Sequence, residues 1–301
     1  MSDTEIDYLI LGANGQVGRE LVRAMQPFGH GLVLGRQECD LAEPGAAAAT
    51  VSRHAPCVVI NATAYTAVDR AESEPALARR INAEAVAELA TVCAERDIPM
   101  VHYSTDYVFA GEGNTAYRPD DATAPASVYG QTKREGEQAI IESGAKALVL
   151  RTSWVYAAHG HNFVKTMLRL AQERDQLRII DDQIGAPTWA ATIADITALA
   201  LNGWRREGWT EQMAGIHHLT ASGATSWYGF AEAIFDEAIA QGLLDPARRP
   251  TTEAISSFDY PQPAPRPHNS RLDTASLSET FDVVLPPWRE ALSRCIRALA
   301  G

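Results

Sequence analysis

A doubly wound α/β fold built on a parallel sheet is predicted by three observations. Five short apolar runs alternate with longer amphipathic segments through the first half of the 301-residue chain, the pattern of strands joined by crossover helices. Runs such as Cys57-Val-Val-Ile60 are apolar at successive positions, which fits strands covered on both faces. A glycine-rich turn, Gly12-Ala-Asn-Gly-Gln-Val-Gly18, directly follows the first run.

Taken in order, the first strand is Tyr8–Leu11, and the glycine turn delivers the chain into a helix over Gln16–Met25. The apolar run Leu32–Leu34 is the second strand and leads to a helix over Pro44–Arg53. Val58–Asn61 is the third, followed by a long helical pattern over Asp69–Glu95. Met100–Ser104 is the fourth and ends in Thr105; a helix over Val128–Glu142 then precedes the fifth, Ala147–Arg151. The second half is less regular. Helices are expected at Asn162–Arg174, Thr192–Trp204, Ser226–Gln241 and Pro287–Leu299, with short strands at Leu177–Ile180 and Ile216–Leu219. The segment Tyr260-Pro-Gln-Pro-Ala-Pro-Arg-Pro267 cannot be helical and reads as an extended loop. No repeat or low-complexity linker divides the chain. The expected organisation is a sheet domain over residues 1–152 and a smaller C-terminal α/β lobe over 153–301, with some segments of the lobe returning to the sheet.

Composition narrows the function. The net charge is −12 and no basic stripe appears, so nucleic acid and anionic membranes are poor partners. Cys39, Cys57, Cys93 and Cys295 are scattered without CxxC spacing, which suits a reducing cytosol and argues against a disulfide framework or a zinc site. Cys57 and Cys93 lie in apolar stretches and are expected to be buried. His159, His161, His217 and His218 show no metal-binding spacing. The acidic N-terminus lacks the apolar core of a signal peptide, and no apolar run approaches the ~20 residues needed to span a bilayer. The expectation is a cytoplasmic protein.

Gly12, Gly15 and Gly18 are spaced GxxGxxG. Such a turn, placed between strand and helix, lets the backbone approach a pyrophosphate at a helix N-terminus. With Asn14 inside it, the turn marks a dinucleotide site of the Rossmann type. The second strand ends Leu34-Gly35-Arg36. The acid that bonds the ribose hydroxyls of NAD is missing there and a cation is present, so NADPH is favoured, with NADH as the lesser option. The third strand ends Asn61-Ala-Thr-Ala-Tyr-Thr66, where small residues such as Ala62 and Ala64 allow a cofactor to pass close to the sheet.

Tyr129 and Lys133 stand four residues apart in Ser127-Val-Tyr-Gly-Gln-Thr-Lys133 and share one helical face. A free tyrosine has a pKa near ~10, and a nearby ammonium lowers it. Tyr129 is thus a candidate proton donor to a carbonyl that receives a hydride, with Lys133 also holding the nicotinamide ribose. The Thr105 hydroxyl is placed to bond and polarise the same oxygen.

On these residues the chain resembles the extended short-chain dehydrogenase/reductases, and within them the dTDP-4-dehydrorhamnose reductase family. Further blocks carry the resemblance over nearly the whole chain: Asn61-Ala-Thr-Ala-Tyr-Thr-Ala-Val-Asp69, Tyr103-Ser-Thr-Asp-Tyr-Val-Phe109, Arg151-Thr-Ser-Trp-Val-Tyr156, Asp182-Gln-Ile-Gly-Ala-Pro-Thr188 and Arg266-Pro-His-Asn-Ser-Arg-Leu272. The resemblance implies reduction of the 4-keto group of dTDP-4-dehydro-β-L-rhamnose, with Thr105, Tyr129 and Lys133 as the catalytic set. It implies that Gly15, Gln16 and Val17 contact the pyrophosphate, that Asp40 and Leu41 flank the adenine, and that Ala64, Tyr65 and Thr66 line the cofactor cleft. Thr105, Asp106 and Trp154 would contact the sugar, the tryptophan packing its apolar face on the deoxy carbon. Arg266, in its proline-stiffened loop, suits the substrate pyrophosphate, and Arg271 is a second candidate.

Some relatives hold a divalent metal between subunits through carboxylates. Here Pro187-Thr188 is followed by Trp-Ala-Ala-Thr192 without an acid, so no metal ligand is expected, and the chain should be a monomer or weak homodimer. Two other readings share these motifs. In dehydratases of the superfamily an Asp-Glu pair follows the threonine, whereas Asp106 is followed here by Tyr107; an epimerase is opposed by the later blocks. A non-catalytic NADP-binding regulatory subunit would need no intact Thr105–Tyr129–Lys133 set.

Overall fold

The computed structural model describes residues 6–300. The strands are β1 (Tyr8–Leu11), β2 (Gly31–Leu34), β3 (Val59–Asn61), β4 (Met100–Thr105), β5 (Ala147–Thr152), β6 (Val155–Tyr156), β7 (Gln176–Ile180), β8 (Ile184–Gly185), β9 (Thr188–Trp189), β10 (Gly215–His218), β11 (Thr225–Ser226), β12 (Thr251–Ile255) and β13 (Asn269–Ser270). The helices are α1 (Gln16–Ala24), α2 (Ala46–His54), α3 (Val68–Ser73), α4 (Pro75–Arg79), α5 (Ala85–Glu95), α6 (Val128–Ser143), α7 (Phe163–Glu173), α8 (Ala190–Glu207), α9 (Trp227–Ala240), α10 (Ala275–Phe281) and α11 (Trp288–Ala300).

Six strands form one parallel sheet in the order β10-β5-β4-β3-β1-β2. The chain starts in β1, adds β2 on one side and then crosses to β3 on the other. That reversal opens a crevice outside the carboxyl ends of β1 and β3, where ligands bind in sheets of this kind. Alternate residues feed two cores. Tyr8 and Ile10 of β1 pack with Leu21 of α1 and Ile193 and Leu201 of α8. Leu9 and Leu11 face the other way, toward Val51 of α2, Leu89 of α5 and Ile140 of α6. Both layers bury apolar area, so neither face of the sheet tolerates a polar stripe. A third core joins Met167 of α7, Leu177 and Ile179 of β7, Phe230 and Phe235 of α9, and Leu292 and Ile296 of α11.

The differences from the expected elements have local causes. The single helix expected over 69–95 is broken: α3 stops at Ser73, Glu74 leaves helical geometry at φ −123° and ψ 46°, and Pro75 begins α4. A residue before proline avoids the helical region, and proline itself suits a first helical position. A π-helical turn over Arg80–Glu84 then joins α4 to α5. The strand expected near 177–180 is β7, and it pairs in parallel with β12, a strand too polar to stand out in the sequence. The strand near 216–219 is β10, the sixth strand of the main sheet. Cys57 is exposed, not buried as its apolar surroundings suggested, because it lies before β3 begins; Cys93 is buried in the α5 layer.

Candidate active site

The glycine turn makes the closest backbone contacts of the crevice. Gly12 sits at φ +84°, and a Cβ there would lie 2.8 Å from the Ala62 carbonyl at the end of β3. A Cβ on Gly18 would lie 2.0 Å from the Gly12 oxygen. These two glycines therefore let α1 and β3 approach the turn. Gly15 is the N-cap of α1, with no side-chain cap, and the first turn of α1 carries no acid. Its unpaired amides and the helix dipole together make an anion seat.

The crevice continues as a groove of about 320 Å³ that gathers Gly12, Asn14, Gly15, Arg36, Asp40, Leu41, Ala62, Ala64, Tyr65 and Thr66. Two expected contacts do not line it with their side chains. Gln16 turns its amide oxygen to Asn162 Nδ2 at 2.9 Å, and Val17 packs against the α1–α8 core. Each can offer a backbone amide only. Arg36 is exposed and pairs with Asp40 at 3.0 Å. The Ala42 amide, before the Arg36 guanidinium, holds the Asp40 carboxyl below its usual range. Glu38 folds back so that its carboxylate accepts the Gly35 amide at 2.9 Å. This places a carboxylate, unseen in the linear motif, against the turn that ends β2.

One determinant escaped the sequence reading. Asn82, buried in the π-helical turn, accepts the Tyr65 amide at 2.8 Å and donates to the Tyr65 carbonyl at 3.1 Å. It pins the 64–66 wall of the groove. Its signal was an uncharged amide between the apolar residues Ile81 and Ala83 of a helical stretch.

Thr105, Tyr129 and Lys133 converge at the carboxyl end of β4. Ser127 caps α6 by accepting the Gly130 amide at 3.2 Å, and α6 carries Tyr129 and Lys133 on one face. Gly130 has no room for a side chain, since a Cβ would lie 2.2 Å from the Tyr107 carbonyl. That contact presses α6 onto the turn after Thr105. The Thr105 hydroxyl, which acts on the Tyr129 phenol, donates to Asp106 Oδ1 at 2.9 Å. Lys133 is held by partners other than the phenol. Its Nζ is taken by the Tyr103 carbonyl at 2.6 Å and by His102 Nε2 at 3.1 Å. Burial then dominates and holds the Tyr129 phenol up to about 12, against the pull of Thr105. Lys133, also enclosed, is pushed down to about 8 by burial.

Beside this set lies a larger cavity of about 710 Å³, lined by residues that include Tyr107, Trp154, Trp227, Arg266 and Ser270. Trp154 occupies the left-handed region at φ +50°, an uncommon backbone for a bulky residue. It stacks on Trp227, with ring centroids 3.6 Å apart. Arg266 pairs with Asp69 at 2.9 Å, a partner that sequence reasoning did not foresee because it lies nearly two hundred residues away. Arg271 is turned to Asn269 at 3.0 Å. Among the described residues no group of three or more His, Cys, Asp or Glu could hold a metal ion.

Asp106 is buried, and its Oδ2 has no hydrogen-bond partner among the described residues. Burial pushes its carboxyl up to about 6, from 3.8. The folded chain therefore binds this proton more tightly than the unfolded chain. The resulting stability is complete below about pH 4 and is lost as pH rises through about 6. Asp106→Asn should remove that slope. Urea unfolding at pH 4 and pH 7 should show the variant gaining roughly 2–3 kcal/mol on the wild type between the two values. Parallel curves would mean that Asp106 is ionised without penalty.

Residues 6–300 match the family described as the RmlD substrate binding domain. The chain belongs to this family. A dTDP-4-dehydrorhamnose reductase of Shigella flexneri is 45% identical over 298 residues, covering 98% of both chains. Among solved structures, the dTDP-4-dehydrorhamnose reductase of Clostridium acetobutylicum superposes with a TM-score of 0.89 at 32% identity, covering 98% of this chain and 99% of that one. That of Bacillus anthracis, in complex with NADP, gives 0.85 at 31% identity and covers 97% and 99%. The match thus includes both the groove and the cavity described above.

Proposed function

We propose that this chain reduces the 4-keto group of dTDP-4-dehydro-β-L-rhamnose to give dTDP-L-rhamnose, with NADPH as the reductant. The observation that carries the reading is the convergence of Thr105, Tyr129 and Lys133 at the carboxyl end of β4, with Tyr129 against Tyr107 of the larger cavity, in a chain 45% identical to a named reductase. The groove fits a dinucleotide. The Gly12 cradle has no space for a Cβ, and the uncapped N-terminus of α1 suits a pyrophosphate. Arg36 is free to meet a 2′-phosphate, because its exposed pair with Asp40 is worth only about 0.2–1 kcal/mol. Glu38, tied to the Gly35 amide, is the group that would accept ribose hydroxyls if NADH were used.

NADPH held by the groove would supply the hydride. The protein supplies the proton and the geometry. A phenol held up to about 12 reaches the reaction protonated at neutral pH, so Tyr129 is a ready donor to the carbonyl oxygen. Thr105 orients that oxygen with its hydroxyl, and the unpaired Oδ2 of Asp106 is positioned to accept from a sugar hydroxyl. Trp154, stacked on Trp227, offers an apolar ring to the deoxy carbon. Arg266, oriented by Asp69, faces the cavity as a guanidinium for the substrate pyrophosphate.

We place the protein in the cytoplasm as a monomer or weak homodimer acting without nucleic acid. The acidic net charge and the absence of any membrane-spanning helix among the described residues support this setting. The assay is loss of NADPH absorbance on adding the keto sugar nucleotide, beside NADH. Turnover with dTDP-L-rhamnose as product is expected, faster with NADPH. Tight NADPH binding without turnover would instead support a regulatory subunit.

A further inference from the structure

Gln183 lies in the wall of the larger cavity, together with Trp154 and Trp227. It belongs to the block Asp182-Gln-Ile-Gly-Ala-Pro-Thr188, whose residues have no role in the reaction described above. Gln183 is 5% exposed. Its Oε1 accepts the Trp227 indole N–H at 3.2 Å, and its Nε2 has no partner among the described residues. The backbone around it is firmly held. Asp182 accepts the Ser257 amide at 2.9 Å and the Ser256 hydroxyl at 2.8 Å, and Ile184–Gly185 forms β8, between β11 and β13. A polar group fixed in this way loses little freedom when it meets a ligand.

An indole N–H can only donate, so the atom of Gln183 that faces Trp227 is its oxygen. The NH₂ is then left with two hydrogens and no protein acceptor. When a ligand fills the cavity and displaces water, an unpaired donor in so enclosed a place costs affinity. The occupant must therefore bring an oxygen to this point. The neighbours indicate which part of a ligand that is. Trp227 stacks on Trp154, and a Cβ on Gly185, two residues after Gln183, would lie 2.7 Å from Trp154 Cε2. Gly185 pairs in register with Ser270, whose side chain acts on the Asp106 carboxyl. The free Oδ2 of Asp106 accepts and the free NH₂ of Gln183 donates, the two roles that sugar hydroxyls can answer. Arg266 is held instead by Asp69 and the Ala264 carbonyl, and suits an anion.

We propose that Gln183 is a further substrate-binding residue: held by Trp227 with its NH₂ toward the cavity, it donates to an oxygen of the sugar in the bound sugar nucleotide. The choice of a sugar rests on the reductase reading; the direction of the amide does not. A structural prop for Trp227 would need only the acceptor, which a carboxylate supplies as well as an amide does. The second, donating end is what a prop leaves without purpose. Because an amide does not titrate, this donor is available at every working pH. It favours a sugar with oxygen at the contacted position over one that is deoxy there, since the deoxy sugar would leave the donor unpaired.

The experiment measures binding of dTDP-L-rhamnose and of dTDP by titration calorimetry, with NADPH present so that the reduced sugar does not react. Gln183→Glu keeps an acceptor for Trp227 and removes the donor. It should bind dTDP-L-rhamnose roughly ten- to a hundred-fold more weakly than the wild type, and dTDP within about three-fold of it. Since dTDP carries at least as much negative charge, a loss that dTDP shares in full is repulsion of the diphosphate and overturns the proposal. Unchanged affinity for dTDP-L-rhamnose overturns it too. Should Gln183→Glu not fold, Trp227→Phe is compared with Trp227→Phe combined with Gln183→Met. These two differ only in the amide, with no indole N–H left to satisfy. The same ten- to hundred-fold gap for the sugar nucleotide is expected between them, and a gap below about three-fold overturns the contact. Wild-type binding of dTDP-L-rhamnose without turnover of the keto sugar would sink the reductase reading alone. A wild type that does not bind dTDP-L-rhamnose overturns both.

Discussion

Tyr129→Phe should lower kcat for the keto sugar by roughly a hundred- to ten-thousand-fold, the range supplied by a positioned general acid. The ring stays, including its edge-to-face contact with Tyr107 at 5.4 Å. The Thr105 hydroxyl keeps Asp106 and the Tyr107 amide as partners. Stability should therefore change by less than about 1 kcal/mol, and NADPH affinity by a few-fold at most, since the anion seat on α1 is remote from the phenol. The wild type should lose rate at alkaline pH as a phenol held near 12 in the free chain begins to ionise. That limb should vanish in the variant. Steady-state kinetics across pH, with fluorescence titration of NADPH, separate these effects. A variant that keeps most of its kcat would remove Tyr129 as the proton donor.

The second large effect concerns how α6 is held. Glu137 and Arg151 form a fully buried, two-bonded pair, with both Nε–Oε1 and Nη2–Oε2 at 2.8 Å. Arg151 also donates to the Pro119 carbonyl at 3.1 Å and lies over the Phe109 ring. The pair ties the helix carrying Tyr129 and Lys133 to strand β5. Glu137→Gln preserves shape but strands a guanidinium in the interior, and should cost roughly 3–5 kcal/mol in urea unfolding. Glu137→Leu combined with Arg151→Met removes both charges and should recover most of that loss. A single variant within about 1 kcal/mol of the wild type would show that the pair is not an anchor.

Local signals carried far in this chain. A strand buried on two faces must be apolar at successive positions, so the five strands of the first half stood out. A glycine that lets backbones touch has no substitute, which made the Gly12–Gly18 turn visible. Tyr129 and Lys133 were legible because four residues make a helical turn. The polar strand β12 was invisible for the converse reason: most of its residues are exposed, and its partner β7 lies about seventy-five residues upstream. The break at Glu74-Pro75 was legible in principle, since proline marks a helix start, but the apolar periodicity on both sides concealed it.

The sequence by itself determined the fold class and marked the dinucleotide groove and the candidate reacting groups, because each depends on residues a few positions apart or on the burial of whole elements. The tertiary structure alone decided the electrical state of those groups. Asp69 reaches Arg266, Asn82 pins Tyr65, Glu38 folds back on Gly35, and Lys133 turns from Tyr129 to His102 and the Tyr103 carbonyl. Apart from Glu38, these partners come from separate elements brought together by packing. Charge and proton position depend on which atoms lie within about 3 Å and on whether water is excluded, and neither is written in the spacing of a motif.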